Sequence, residues 1–276
     1  MKLRAPAKVN LHLSVLGRRA DGFHDIETLM VPISLADEIT VTTARGEGTQ
    51  VTCNIPDVPL GDDNLVAVAA RLFAEQTRQN FSTEIHLEKH VPMGAGLGGG
   101  SSDAAAVLLA LDTLLETHLE VDALEAIAAR IGSDVPFFIR QKPAICRGRG
   151  ERIEPAVLGE KLSILLIKPP FGVNTAWAYK NWAGSHSVLP ELVQDLGWTT
   201  IHNSLERPVF EKYLLLPVIK QWLLAQPEVR VAAMSGSGST MFAILKAGAS
   251  PTVLEARSRE VFGDSLWTAS CASLEA

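Results

Sequence analysis

Apolar and polar residues alternate strictly near the start of the chain. Val9, Leu11, Leu13 and Val15 fall on one side and Lys8, Asn10, His12 and Ser14 on the other, up to Gly17. A period of two predicts a half-buried strand that carries Lys8 and Asn10 together on its exposed face. A polar loop over 18–25 leads to strand-like runs at 29–33, 38–43 and 51–55, so the N-terminal portion reads as mostly β. The period then changes. Leu65, Val68, Ala69, Leu72 and Phe73 follow helical spacing behind Asn64, a good N-cap, and predict a helix over 65–75.

A further strand is expected at 83–89, ended by Pro92. After a glycine-rich stretch, Ser101, Ser102 and Asp103 are helix-start residues, and the dense apolar run from Ala104 through Leu115 predicts a buried central helix. Asp122 with Glu125 resembles a capping box for a second helix carrying Leu124, Ile127, Ala128 and Ile131, closed by Gly132. Asp134 before Pro136 opens another element and by itself reads as an N-cap. Arg140, Lys142, Arg147, Arg149 and Arg152 suit a solvated turn, and a domain boundary is expected near 154–160. Beyond it come a strand at 163–167, a poorly periodic region over 177–198, a helix at 217–224, a strand-loop-strand unit at 229–245 and a helix at 252–261.

With 276 residues the chain is long enough for two domains, and its 47% hydrophobic content excludes intrinsic disorder. A formal charge of −6 excludes a globally basic surface, so neither nucleic acid nor an anionic membrane is expected as a partner. Cys53, Cys146 and Cys271 are odd in number and far apart, which suits a reducing cytoplasm. Neither a signal peptide nor a membrane span is expected. His86 and His90 lie on a strand and its end, without an HExxH pattern, and no structural metal is expected.

Five glycines fall between Gly94 and Gly100, ahead of the buried helix. Backbone N–H groups bared at a helix N-terminus form an anion site, and hydroxyls at Ser101 and Ser102 can add donors or reach a metal that bridges phosphates. Three phosphate chemistries compete. A Walker A loop needs a lysine where Gly100 stands. The dinucleotide fingerprint is matched by letter at Gly94, Gly96 and Gly99, but the acids about twenty residues on, Glu116 and Glu120, belong to the same long helix rather than to a second strand.

The third chemistry comes with a resemblance. The run from Pro92 to Ala105, Pro-Met-Gly-Ala-Gly-Leu-Gly-Gly-Gly-Ser-Ser-Asp-Ala-Ala, resembles the ATP-binding signature of the GHMP kinases. Four other places agree in order: Pro6-Ala7-Lys8-Val9-Asn10-Leu11, Arg19-Ala20-Asp21-Gly22-Phe23-His24, Gly132-Ser133-Asp134-Val135-Pro136-Phe137-Phe138 and Ser235-Gly236-Ser237-Gly238-Ser239. The likeness spans nearly the whole chain and is least over 188–200. It implies an α+β two-domain GHMP kinase fold: a ribosomal protein S5 domain 2-like N-terminal domain over 1–156 that binds ATP, and a ferredoxin-like C-terminal domain over 157–276 on the substrate side. The active site would lie in the cleft between them.

The triple glycine narrows the resemblance to kinases whose acceptor is a cytidine diphosphate-linked polyol. ATP is then the co-substrate, with Mg²⁺, and the protein is a monomer or weak homodimer. The family assigns the nucleotide to Asn64, Pro92, Met93, Gly94, Ala95, Gly96, Leu97, Gly98, Gly99, Gly100, Ser101 and Ser102. It assigns catalysis to Asp134, as the base, with Lys8 beside it. Substrate would fall to Asn10, Phe23, His24, Thr175, Tyr179, Gly236 and Gly238. His24 would hydrogen-bond cytosine between the rings of Phe23, where tyrosine is commoner, and Tyr179. Asn203-Ser204-Leu205-Glu206 departs from a commoner Asn-Asp-Leu-Glu, and Ser204 is given no role. Another small-alcohol kinase of homoserine or mevalonate type, or a non-catalytic nucleotide sensor, remain as alternatives.

Overall fold

The computed structural model describes residues 1–182 and 193–274. In chain order the elements are β1 (Lys2–Arg18), β2 (His24–Ala44), β3 (Gly48–Cys53), α1 (Leu65–Thr77), β4 (Ser82–Glu88), α2 (Gly99–Leu114), α3 (Val121–Ile131) and α4 (Val135–Arg140). Then follow β5 (Ala144–Gly148), β6 (Arg152–Pro155), β7 (Ser163–Lys168), α5 (Thr175–Trp182), β8 (Gln194–Asp195), β9 (Thr200–Asn203), α6 (Glu206–Lys212) and α7 (Leu215–Leu224). The chain closes with β10 (Val229–Met234), β11 (Met241–Leu245), α8 (Pro251–Phe262) and β12 (Trp267–Ala272). Of the least recognisable stretch, residues 188–192 lie outside the described part. Among the described residues no helix is long and apolar enough to cross a membrane.

The chain forms two compact units that interleave in sequence. The first takes Met1–Ala7, Ala36–Pro92 and Gly98–Lys142; the second takes Lys8–Leu35, Met93–Leu97 and Pro143–Ala276. The physical reason is strand length. At about 3.3 Å per residue, β1 and β2, of 17 and 21 residues, are long enough for each to serve both units. The runs expected separately at 29–33 and 38–43 are accordingly one strand, because nothing between them breaks extended backbone.

In the first unit, β3 pairs in parallel with β4, and β4 pairs antiparallel with the later half of β2, from Glu38 opposite Glu88 to Ala44 opposite Ser82. Helices α1 to α4 pack on one another. The centre is α2, whose Ala104, Ala105, Ala106, Val107 and Leu108 are fully buried; small side chains let neighbouring helices approach closely. Helix α1 runs as predicted, and Asn64 Oδ1 accepts the Val66 N–H at 3.1 Å as its cap. Two predicted starts shift. Helix α2 begins at Gly99, with Gly98 as cap, so Ser101 to Asp103 lie within it. Helix α3 is capped at Glu120 without a side-chain bond, and Asp122 and Glu125 instead bind Arg140 of α4.

In the second unit, β10, β11, β7 and β12 form an antiparallel sheet in that order. Leu13, Val15, Ile26, Leu165, Ile167, Leu216, Ile219, Met234 and Met241 share its core. The early half of β2 pairs with β5, and β5 with β6, so the basic stretch expected as a solvated turn is a hairpin with Arg147 bound to Glu27 and Glu154. Strand β1 pairs in parallel with β9, His12 opposite His202.

Candidate functional site

Strand β1 is buried on both faces where the alternating pattern predicts one. Lys8 is 3% exposed and Asn10 1%, which corrects the expectation of an exposed face. A lysine this deep needs oxygen partners. Its Nζ donates to Asn10 Oδ1 at 2.6 Å and to the Gly96 carbonyl at 3.0 Å. Asn10 is fixed in turn, because its Nδ2 donates to Thr28 Oγ1 at 2.8 Å and Thr28 donates to the His12 carbonyl at 2.6 Å. The backbone N–H of Lys8 reaches the Leu97 carbonyl at 2.9 Å.

The first glycine stretch and the second Gly-Ser loop meet around this ammonium. Ser235 Oγ donates to the Gly96 carbonyl at 2.9 Å, and the Thr240 N–H to the Ala95 carbonyl at 3.2 Å. Gly96 has φ +74°, and a Cβ there would stand 2.1 Å from the Ser235 carbonyl oxygen, so no other residue fits. A Cβ on Gly236, at φ +55°, would meet Lys8 Nζ at 3.2 Å and Asn10 Oδ1 at 3.3 Å. Asn203 Nδ2 holds the loop by donating to the carbonyls of Met234 and Gly236, both at 2.7 Å. Thr175 shares a 2.8 Å hydrogen bond with Ser237, which ties the start of α5 to the same loop near Gly238.

His24, at the start of β2, lies 5.5 Å from the ring of Tyr179 and 6.3 Å edge-on from Trp182. Burial, helped by the charge of Arg18, lowers its pKa and favours neutral imidazole. Phe23 beside it is half exposed, with the Arg149 guanidinium 4.8 Å from its ring centre. Tyr179 is therefore gathered with His24, while Phe23 stays half exposed beside Arg149.

In the first unit, Gly98 caps α2 at φ +73° with no side-chain hydrogen bond, which leaves first-turn N–H groups to an outside acceptor. Ser102 Oγ is buried with no hydrogen-bond partner among the described residues. Beneath this turn, Lys89 Nζ lies between Asp37 and Asp103, 2.6 Å from the latter. Burial drives the Asp103 carboxyl up to about 7, against the pull of Lys89. Burial also pulls Lys89 down, but Asp103 and Asp37 outweigh it and hold the ammonium charged. Asp134 is half-buried at the N-cap position of α4, ahead of Pro136, but its side chain makes no cap hydrogen bond to that helix. Asn64 donates to the Pro59 carbonyl at 2.6 Å as well as capping α1.

Sequence reasoning missed Thr28, Asn203, Arg149, Trp182 and the Asp37–Lys89–Asp103 group. A strand threonine or a lone buried lysine carries no local signal. Asp103, Arg149 and Asn203 stood in runs already singled out, but nothing local indicates their partners.

The GHMP kinases N terminal domain family matches residues 64–142. The chain is 43% identical over 244 residues to the 4-diphosphocytidyl-2-C-methyl-D-erythritol kinase of Methylacidiphilum infernorum (isolate V4), which spans 87% of this chain and 84% of that one. It is 39% identical over 264 residues to the enzyme of the same name from Synechococcus sp. (strain JA-2-3B'a(2-13)), spanning 88% and 84%. A crystal structure of 4-(cytidine 5'-diphospho)-2C-methyl-D-erythritol kinase aligns with a TM-score of 0.78 at 36% identity, covering 98% of this chain and 99% of that one.

Proposed function

The chain belongs to the GHMP kinases and, among them, to the 4-diphosphocytidyl-2-C-methyl-D-erythritol kinases, and from that membership we propose how its residues divide the work. The reaction is ATP-dependent phosphorylation of the 2-hydroxyl of 4-diphosphocytidyl-2-C-methyl-D-erythritol, in the non-mevalonate route to isoprenoid precursors. Homoserine-type or mevalonate-type kinases and a non-catalytic sensor are not favoured. The observation that carries the assignment of roles is the buried Lys8 ammonium, fixed by Asn10 and the Gly96 carbonyl. A fixed positive charge among glycine loops suits a reaction in which positioning and charge stabilisation supply most of the catalysis.

In this reading the N–H groups from Gly98 to Ser101 at the positive end of α2, with the Ser102 hydroxyl beside them, receive the triphosphate, and Pro92, Met93, Gly94, Ala95, Gly96 and Leu97 lead to them. Asn64 lies toward adenine. Asp134 takes the proton from the attacking hydroxyl, and Lys8 orients and acidifies that hydroxyl. Asn10, Gly236 and Gly238 line the acceptor, and Thr175 steadies the Gly-Ser loop through Ser237. Neutral His24 exchanges hydrogen bonds with cytosine, beside the rings of Phe23 and Tyr179.

Mg²⁺ fits this site. Among the described residues no group of three or more His, Cys, Asp or Glu could hold a metal, but the unpartnered Ser102 Oγ would hold a cation whose other ligands are phosphate and water. When bound, the ion neutralises charge on the phosphate oxygens. We further infer an S5 domain 2-like nucleotide domain over 1–156, a ferredoxin-like substrate domain over 157–276, a cytoplasmic location, and a monomer or weak homodimer.

The test is ADP release with the cytidyl substrate, with mevalonate, with homoserine and with no acceptor. Turnover with the cytidyl substrate alone is expected. Turnover only with the other alcohols, or with none, overturns the reading.

A further inference from the structure

Lys89 follows the end of β4, and its ammonium is buried between carboxylates from two other elements, Asp37 of β2 and Asp103 of α2. The second oxygen of Asp37 accepts the N–H groups of His90 at 2.5 Å and Val91 at 2.8 Å. The N–H of Lys89 itself donates to Asn54 Oδ1 at 2.9 Å. At the first residue of α2, a Cβ on Gly99 would meet Val91 Cγ1 at 3.1 Å and Lys89 Nζ at 3.4 Å, so the first turn of α2 rests on this strand end. Residues 89–91 and 99–103 are the two ends of the glycine-rich loop, and one ammonium joins them.

Stability is a weak reason to keep such a group, because replacing a buried ion network with apolar side chains of similar size is often neutral or stabilising. What the network adds is direction. An ammonium held by two carboxylates fixes the orientation of the groups around it, which apolar contact does less well. A loop holding Gly94, Gly96 and Gly98 loses entropy when a ligand orders it, and pinning its ends reduces that loss.

We propose that Lys89, acting through Asp37 and Asp103, is a positioning residue for nucleotide binding that holds the first-turn N–H groups of α2 against the strand end from which the glycine loop departs. The proposal rests on the assignment of the triphosphate to that turn.

Two variants test it. Asp103→Leu frees α2 while leaving Lys89 paired with Asp37. The triple variant Asp37→Asn, Lys89→Met, Asp103→Leu removes all three charges and keeps an acceptor for the His90 and Val91 N–H groups. Both are expected to fold, by circular dichroism and cooperative melting. Calorimetric titration should show ATP and ADP affinity weakened at least about ten-fold, because misplacement far from the chemistry is costly. The KM for the cytidyl substrate should change by less than about two-fold. Asp103→Asn, which keeps an oxygen for the ammonium, should stay near wild-type affinity. A folded variant that binds nucleotide as wild type does, or an equal rise in both KM values, overturns the proposal. So does failure of both variants to fold, which would make the group purely structural. Failure of the wild-type protein to bind ATP would instead overturn the kinase reading.

Discussion

Lys8 can be buried because two oxygens meet its ammonium, Asn10 Oδ1 two residues along the same strand and the carbonyl of Gly96 far off in sequence. Alternation put Lys8 and Asn10 on one face, but nothing local indicates that a glycine loop covers that face. Gly96 is the tightest point of the arrangement. Gly96→Ala forces a Cβ against a carbonyl oxygen at a positive φ, and should cost more than about 2 kcal/mol in urea unfolding. Gly94→Ala, at φ +60° with nothing within 4 Å, should cost about 1 kcal/mol; equal losses would mean that the close approach at Gly96 is not what selects glycine there. Asp134→Asn keeps shape and removes the proton acceptor. It is expected to lower kcat by at least about 10² while ATP binding persists, and near-normal turnover would remove Asp134 from the chemistry.

Among the elements, α1 was legible from end to end because its stripe and its cap are both local signals. Asn64→Ala should cost about 1 kcal/mol, read as a lower urea midpoint, and no loss would mean the Asn64 amide contributes nothing as a cap. Helix α2 was legible as a buried apolar run, but its start was not. Ser101, Ser102 and Asp103 have cap chemistry, yet glycine at a positive φ begins the helix and leaves its N–H groups to a ligand. Strand β2 was split in two because periodicity cannot register how far an extended segment continues. The hairpin of β5 and β6 was missed because its arginines read as solvated until Glu27 and Glu154 are brought beside Arg147.

For the molecule as a whole, acid sensitivity follows from a stacked pair, His12 of β1 and His202 of β9, with ring centres 5.5 Å apart. Burial, then His202 and Arg147 of β5, lower the pKa of His12 against the opposing pull of Glu27 of β2. A depressed imidazole is protonated more readily in the unfolded chain, so this contribution to stability is complete above pH 6.5 and is lost as pH falls below it. His12→Phe should flatten the change in urea midpoint between about pH 5 and 7; an unaltered slope would show that His12 is not its source. Five short motifs in order were enough to indicate the family, because phosphate binding needs glycine backbone, and proton transfer needs particular side chains, whatever surrounds them. Local periodicity likewise determined most helices and, in the second half, strands β7, β10 and β11, but not β8, β9 or β12. Tertiary structure alone decided that Lys8 is buried, that Asn203 and Thr28 hold the groups around it, and that Lys89 joins two carboxylates across the ends of a loop. Each of these depends on hydrogen bonds between residues distant in sequence, and only the folded chain brings such partners within about 3 Å of one another.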